Sequence, residues 1–321
     1  MTSRPAMTSD SALAAAGLVD RLAIHPEVAA ALRAGRPVVA LESTLISHGL
    51  PYPANLQVAQ DSEAAIREGG AVPATVAVRD GRLLVGVDEA DLAKFARLPA
   101  GSVVKASRPS LAAALARRGW AGTTVSTTML AAHAAGIRVF ATGGIGGVHR
   151  GARFDVSSDL DELARTPVAV VCAGPKSILD VAATIEVLET RGVPVVSLAW
   201  PEVAGFTARG SGVAAPIVAA DAADLARIVS THLGLGLGSG VLVTVPLPAE
   251  DALPDAVARQ SIERAVADAD AAGVHGPALT PWLLTRIAEL TDGASVRANT
   301  ALIVNNARVG ARLARDLLER A

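Results

Sequence analysis

Aromatic residues are scarce in this chain of 321 residues: four phenylalanines, three tryptophans and one tyrosine. The core must therefore be made of Ala, Val, Leu and Ile, and the plentiful alanine favours helices on the outer layers. Cysteine is rarer still. A single Cys172 excludes an intrachain disulfide, and its place inside the apolar run PVAVVCAG points to packing rather than reactivity. A reducing cytoplasm fits. Neither charge sign dominates: 29 Lys and Arg stand against 31 Asp and Glu, for a net charge of −2. That excludes the basic field of a nucleic-acid binder and the polybasic run of a membrane-surface protein. No apolar run reaches the ~20 residues of a membrane span. Nucleotide loops are missing too. TGGIGGVHRG carries His149 and LGLGLGSG carries Ser239 where G-x-G-x-x-G needs its third glycine, and no P-loop occurs. Residues 1–20 make a poor signal peptide, with Arg4 as the only base and Asp10 and Asp20 at the flanks. They read as a disordered leader in which Met7 could be the true start.

What the chain does have is an alternation of short apolar runs and amphipathic stretches. Hydrophobic residues make up 51% of the sequence, enough for a large core. PVVALEST, IRVFATGG, PVAVVCAG and VPVVSLAW read as buried strands. HPEVAAALRAG, ANLQVAQDSEAAIREGG, TTVSTTMLAAHAAG and ADAADLARIVSTHLG read as helices. Asp80-Gly81 marks a two-residue hairpin turn, and Asp88 is placed to cap the next helix. LISHGLPYP and GFTARGSGVAAP read as loops. Pro254 interrupts a long helix early, Pro281 opens the next, and a long closing helix begins near Ala294. The alternation predicts a layered α/β sheet with helices on both faces. No linker divides it, so residues 21–321 are expected to form one domain.

Several strand ends carry polar residues, where open α/β sheets place ligands. Glu42 ends an apolar strand, and desolvation there would suit a general acid. The commoner case is a solvated carboxylate. Lys105 ends another strand and could hold a phosphate, or simply face solvent. Lys176 follows the buried strand and opens SILDVAATIEVLETRG, read as a helix. The positive end of a helix disfavours an ammonium group and favours the nucleophilic amine. Taken alone, the position is better explained by a surface lysine that happens to open a helix. FDVSSDLDEL groups Asp155, Ser157, Ser158 and Asp159, either as a helix cap with its acidic first turn or as ligands for a hard cation and a phosphate. The glycines of TGGIGG could let backbone amides approach an anion. Asn299, Asn305 and Asn306 lie in an apolar helix, and bracing of a neighbouring loop is the simplest reason for them. Glu42, Lys105 and Lys176 converge on one sheet edge if their strands are parallel.

The segments VALESTLISHGLPYPAN, GAVPATVAV, TTVSTTM, VFATGGIGGVHRGARFDVSSDL, VVCAGPKSILD and SVRANTALIVNNA together resemble the pseudouridine-5′-phosphate glycosidase family, whose relatives are also described as indigoidine synthase A-like. The resemblance runs from about Pro26 to the C-terminal helix. It implies a three-layer α/β/α sandwich with a central, mostly parallel or mixed sheet. It also implies reversible conversion of pseudouridine 5′-phosphate and water into uracil and ribose 5-phosphate. By motif the nucleophile is Lys176 and the proton donor Glu42. Substrate contacts match Lys105, Val125, Ser157, Ser158, Asp159 and Asn299. Asp155 matches the residue linked to Mn²⁺, one ion per subunit, and the assembly implied is a homotrimer acting on a small sugar phosphate. Attack of Lys176 on the anomeric carbon, with ring-oxygen protonation by Glu42, would open the ribose. Cleavage of the carbon–carbon bond then needs protonation of the uracil carbon, from Glu42 or Asp159, and water frees the sugar by hydrolysing the imine. Pro175 stands where a small residue is expected, the loop RGARFD is shorter than in some relatives, and WPEVAGFTARGSGVAAP matches less well, so roles for Phe206 and Arg209 are not carried over. The alternatives are a related C-glycoside or pigment-pathway enzyme with the same lysine chemistry, a sugar-kinase-like protein, which lacks its nucleotide loop here, and a catalytically silent sugar-phosphate sensor.

Overall fold

The computed structural model describes residues 17–99, 101–151, 155–274 and 279–320. Residues 1–16 of the expected leader lie outside them. Residues 17–20 belong to the fold instead, since Leu18 packs against the core.

The chain order is as follows. β1 (Leu22–Ile24), α1 (Pro26–Arg33), β2 (Val38–Leu41) and α2 (Ala54–Glu68) lead into β3 (Val72–Arg79), β4 (Arg82–Val85), α3 (Glu89–Ala96) and β5 (Val104–Ala106). Then come α4 (Leu111–Ala116), β6 (Trp120–Thr123), α5 (Val125–Ala134), β7 (Val139–Ala141), β8 (Val148–His149) and α6 (Ser158–Leu163). β9 (Ala169–Cys172), β10 (Leu179–Asp180), α7 (Val181–Thr190), β11 (Val195–Leu198), β12 (Glu202–Gly205) and β13 (Ala208–Ala214) follow. β14 (Ile217–Ala219), α8 (Ala222–Gly234), β15 (Val241–Thr244), α9 (Asp255–Ala271), α10 (Leu279–Leu290) and α11 (Ala294–Leu318) complete the chain.

The main sheet runs β1-β4-β3-β2-β7-β9-β15-β11-β14, with β6 on β3 and β5 on β6. From β3 to β14 all neighbours are parallel. β4 and β6 run antiparallel to β3. The period of two along each strand assigns the two faces. Val38 and Ala40 join one core with residues of α1, α4, α5, α6 and α7. Val39 and Leu41 join the other, with α2, α8 and α11. The result is the three-layer α/β/α sandwich around a mixed, mostly parallel sheet. All four residues of β9 are fully buried. Covering one valine contributes about 1.5–3 kcal/mol, and two-sided burial explains why the strand reads as an unbroken apolar run.

Local signals hold at several points. Asp80 and Gly81, at φ 49° and 82°, turn β3 into β4 with Arg79 opposite Arg82. Asp88 accepts from the Asp91 amide at 2.8 Å to start α3. Pro254 does not interrupt a helix but precedes its first residue, Asp255. LISHG is not an open loop: it forms a wide helical turn closed by Leu50 N–H to the Leu45 carbonyl at 3.3 Å. The glycine-rich GFTARGSGVA is an antiparallel hairpin, β12 with β13. Its glycines look like loop residues but permit close strands, since a Cβ on Gly205 would stand 2.1 Å from the Gly210 carbonyl oxygen. Among the described residues no helix is long and apolar enough to cross a membrane.

Candidate active site

Two adjoining cavities, of about 270 and 320 Å³, open at the carboxyl ends of the parallel strands. Glu42, Thr44, Lys105 and Lys176 line both and form their junction. One lobe is polar, with Ser107, Thr124, Ser157, Ser158 and Asp159 among its walls. The other is more apolar, with Leu45, Phe206, Leu284, Asn299 and Ile303.

Glu42 follows β2 directly. Ser43 fixes that strand end by accepting the Thr123 amide at 3.0 Å, and Thr44 Oγ1 donates to the Thr123 carbonyl at 2.8 Å. Thr142, after β7, donates its hydroxyl to Glu42. Burial pushes the Glu42 carboxyl above its ordinary value, although Lys176, the Thr142 hydrogen bond and Lys105 pull it back. Asp159 adds to the rise. A carboxyl so placed keeps a proton at higher pH, as a general acid must.

Lys176 is half-buried after β9, but not at a helix start. Gly174, at φ 87°, and Pro175 turn the chain. The Lys176 amide then donates to the Ile145 carbonyl at 3.1 Å. β10 pairs with β8, and α7 begins only at Val181, capped by the Asp180 side chain on Ala183 N. The helix-dipole reason for a nucleophilic Lys176 therefore fails. Its setting is instead the junction with Glu42 and Lys105, backed by Ile178 and Leu179, which pack on α9 and α10.

Lys105 reaches the same junction from the opposite direction. It lies within β5, which is parallel to β6 and hence antiparallel to β2. The expected convergence is present, then, although the strands are not all parallel. Lys105 is exposed to the open space of the cavities it lines, although neighbouring atoms crowd round its ammonium. Desolvation holds its ammonium below the ordinary lysine value, Lys176 lowers it further, and Asp159 and Glu42 oppose both.

The polar lobe is built where α5 and α6 begin. Thr124 and Val125 open α5. Ser157 caps α6 by accepting the Asp159 amide at 3.2 Å. Backbone amides at a helix start, with hydroxyls beside them, suit an anion. Asp159 is buried, and its oxygens accept from Ser126 N at 3.0 Å and Gly146 N at 2.9 Å. Behind it, fully buried Glu162 accepts from Arg108 and from the Thr166 hydroxyl, tying α6 to the segment after β5. The glycines of TGGIGG serve packing first. A Cβ on Gly144 would meet the Phe206 ring at 2.7 Å, and one on Gly146 would meet Ser157 Oγ at 2.3 Å.

In the apolar lobe, Asn299 of α11 forms part of the wall. Phe206 tips the β12–β13 hairpin at φ 64°, a left-handed conformation that costs a non-glycine residue about 1–2 kcal/mol. Its amide donates to the Ala173 carbonyl at 3.0 Å, which braces the loop of Lys176. His48 Nε2 lies 3.1 Å from the Val103 carbonyl and must donate to it, so Nδ1 accepts from Ser47 at 2.7 Å. Burial lowers its affinity for a second proton, and Lys105 adds to that effect. Sequence reading left out Thr44, Thr124 and Thr142, whose signal was a hydroxyl at or just past a strand end. Phe206 and Leu284 gave no local signal.

Asp155 is exposed and outside the cavity walls; its carbonyl accepts from His149 N at 3.0 Å. Among the described residues no three His, Cys, Asp or Glu side chains cluster to enclose a metal. The donor set fits a hydrated cation on one carboxylate and not a protein-encased ion. Cys172 is buried, its thiol pushed up to about 12 by desolvation, and is chemically inert.

A profile of the family described as "Indigoidine synthase A like protein" matches residues 27–316. The chain belongs to this family. Among curated relatives it is similar to the pseudouridine-5′-phosphate glycosidase of Paracoccus denitrificans, 52% identical over 91% of this chain and 97% of the relative. The protein of the same name from Sorangium cellulosum is also 52% identical, over 94% and 95%. Among solved structures it is similar to the prealnumycin C-glycosynthase in complex with ribulose 5-phosphate. The TM-score is 0.86, with 36% identity over 93% of this chain and 97% of that one. An indigoidine synthase A-like protein of Thermotoga maritima follows, with TM-score 0.82 and 31% identity over 92% and 96%.

Proposed function

We propose that this enzyme reversibly splits the carbon–carbon glycosidic bond of pseudouridine 5′-phosphate to give uracil and ribose 5-phosphate. The observation that carries the reading is the meeting of Lys176, Glu42 and Lys105 at the junction of the two lobes. The polar lobe takes the ribose phosphate, with Lys105 as a point charge and Ser157 and Ser158 as hydroxyl partners. The apolar lobe takes uracil, with Asn299 as its polar contact. The scissile bond then lies over Lys176.

Uracil is a poor carbanion leaving group, so direct displacement has a high barrier. The amine of Lys176 forms a bond to C1′ while the C1′–O4′ bond breaks and Glu42 delivers its proton to O4′; the Glu42 carboxylate then takes a proton from the new C1′-bound ammonium and is ready to donate again. Protonation of uracil C5 and rupture of C1′–C5 then draw the nitrogen lone pair into a C=N bond. Water adds to this imine and restores the amine and the aldehyde, which closes to ribose 5-phosphate. Both Asp159 oxygens already accept backbone N–H groups, so Asp159 braces the site and Glu42 is left as the proton donor. Asp155 would hold Mn²⁺, completed by water, and the ion would supply positive charge. The family resemblance also carries a homotrimer, testable by analytical ultracentrifugation, and a cytoplasmic location in keeping with the lone buried Cys172.

Uracil release from pseudouridine 5′-phosphate, followed by chromatography, tests the reaction. Turnover of that substrate supports it. No turnover, with activity on another C-glycoside, supports the second reading, which the likeness to a C-glycosynthase favours.

A further inference from the structure

Thr142 is held at three points. Its amide donates to the Val171 carbonyl at 3.0 Å. Its carbonyl accepts from Asn306 Nδ2 at 2.8 Å, and the same Nδ2 lies 3.3 Å from the Gly143 carbonyl. Its hydroxyl donates to Glu42 Oε1. Asn306 is fully buried on α11, 164 residues along the chain from Thr142. It reaches the turn because α11 lies unusually close to the sheet. A Cβ on Gly310 would stand 3.2 Å from Ala141 and 3.4 Å from Val39, and one on Gly143 would stand 3.1 Å from Ile303. The amide satisfies the buried Thr142 carbonyl, while its own Oδ1, at the same depth, has no hydrogen-bond partner among the described residues.

We propose that Thr142 and Asn306 are a positioning pair for Glu42, which fixes Oε1 as the accepting oxygen and leaves Oε2 to carry the proton to the substrate. The inference rests on the reading of Glu42 as the acid. The carbonyl oxygen of a carboxylic acid is its better acceptor, so a hydroxyl that donates to Oε1 selects the acid form with its hydrogen on Oε2. Asn306 acts one bond further back. By holding both carbonyls of the turn it fixes the Thr142 backbone from which the hydroxyl is aimed. The charged groups facing Glu42 are Lys176 from the loop after β9, Lys105 from β5 and Asp159 from α6. None of them is a hydrogen-bond partner that selects one oxygen.

The test is the pH dependence of kcat for uracil release in Thr142→Val, Thr142→Ser, Asn306→Ala, the double variant Thr142→Val/Asn306→Ala, and Glu42→Gln. Valine keeps the shape and removes the hydroxyl. A hydrogen bond to a charged group is lost, so kcat should fall about tenfold. The Thr142 bond favours the carboxylate, so its removal should move the limb that reports loss of the Glu42 proton to higher pH. Thr142→Ser should restore both values. Asn306→Ala should move the same limb in the same direction, and the double variant should be no worse than Thr142→Val alone, because both act through one chain of bonds. A limb that stays in place in folded Thr142→Val, or additive losses in the double variant, would overturn the pairing. Should Thr142→Val not fold, the limb in Asn306→Ala decides the matter alone. Glu42→Gln separates the two levels. If it retains the parent kcat, the acid assignment fails and the pair with it; if it is inactive while the limb stays fixed in the others, only the pair fails.

Discussion

The two lobes of the site are built by different means. The polar lobe is assembled from short local patterns: Lys105 to Ser107 on one strand and its exit, Thr124-Val125 at one helix start, Ser157 to Asp159 at another. The apolar lobe takes Leu45, Ser47, His48 and Gly49 from the wide helical turn, and adds to them residues from a glycine turn, a hairpin tip and two late helices. An anion can be held by whatever a helix start already offers, since the amides there are unpaired. A planar base needs a shaped apolar slot, and that shape exists only after distant segments pack. Lys176 stands where the two constructions meet.

Substitution at the junction should have the largest effect, since it removes the chemistry and leaves both lobes in place. Lys176→Ala should abolish uracil release while ribose 5-phosphate still binds, as read by calorimetry; retained turnover would remove the nucleophile from the account. Glu42→Gln comes next, with kcat down about 10²–10⁴-fold, the usual worth of a general acid. Its effect on stability should have the opposite sign. The folded Glu42 carboxyl is raised above 4.5, so its stability contribution is fully present below that value and is lost as pH rises through the folded value. Glu42→Gln should therefore melt above the parent at about pH 8, with the gap closing as pH falls toward 4.5. Parallel melting curves would show that the carboxyl is not strained by burial.

Smaller effects should divide the lobes. Lys105→Ala should weaken ribose 5-phosphate about tenfold, as loss of a charge-assisted contact does, and leave uracil affinity in the synthetic direction nearly unchanged. Asn299→Ala should do the reverse, weakening uracil about fivefold. If both variants weaken both ligands equally, the division into a phosphate lobe and a base lobe is wrong. Chelation should have the mildest effect, a partial loss that Mn²⁺ restores, because one exposed carboxylate holds a cation weakly. Indifference to chelator would exclude the Asp155 ion.

The same contrast explains what could be read in the chain. Buried strands such as AVVC and VVAL announce themselves by β-branched runs, and Asp80-Gly81 or Asp88 by the backbone geometry those residues favour. Glu42, Lys105 and the serine pair were legible because polar residues interrupt apolar strands or open helices. Two inferences failed for a shared reason. The segment after Lys176 has helical periodicity, but Leu179 and Asp180 pair with β8, and the helix starts later. The GFTARGSGVA segment has loop composition, but its glycines serve strand contact. In both, tertiary pairing overrode the local pattern. Phe206, Leu284 and the bond from Asn306 to Thr142 depend on packing between segments far apart in sequence, and no window of residues could place them.

The central claim is that Lys176 forms an imine with the sugar phosphate. The most direct measurement is reduction of that imine: the protein is mixed with ribose 5-phosphate, Mn²⁺ and borohydride, and the adduct is located by peptide mass spectrometry. The expected result is a reduced sugar-phosphate adduct on Lys176, absent when borohydride is omitted. An unmodified Lys176 in protein that still releases uracil from pseudouridine 5′-phosphate would contradict it.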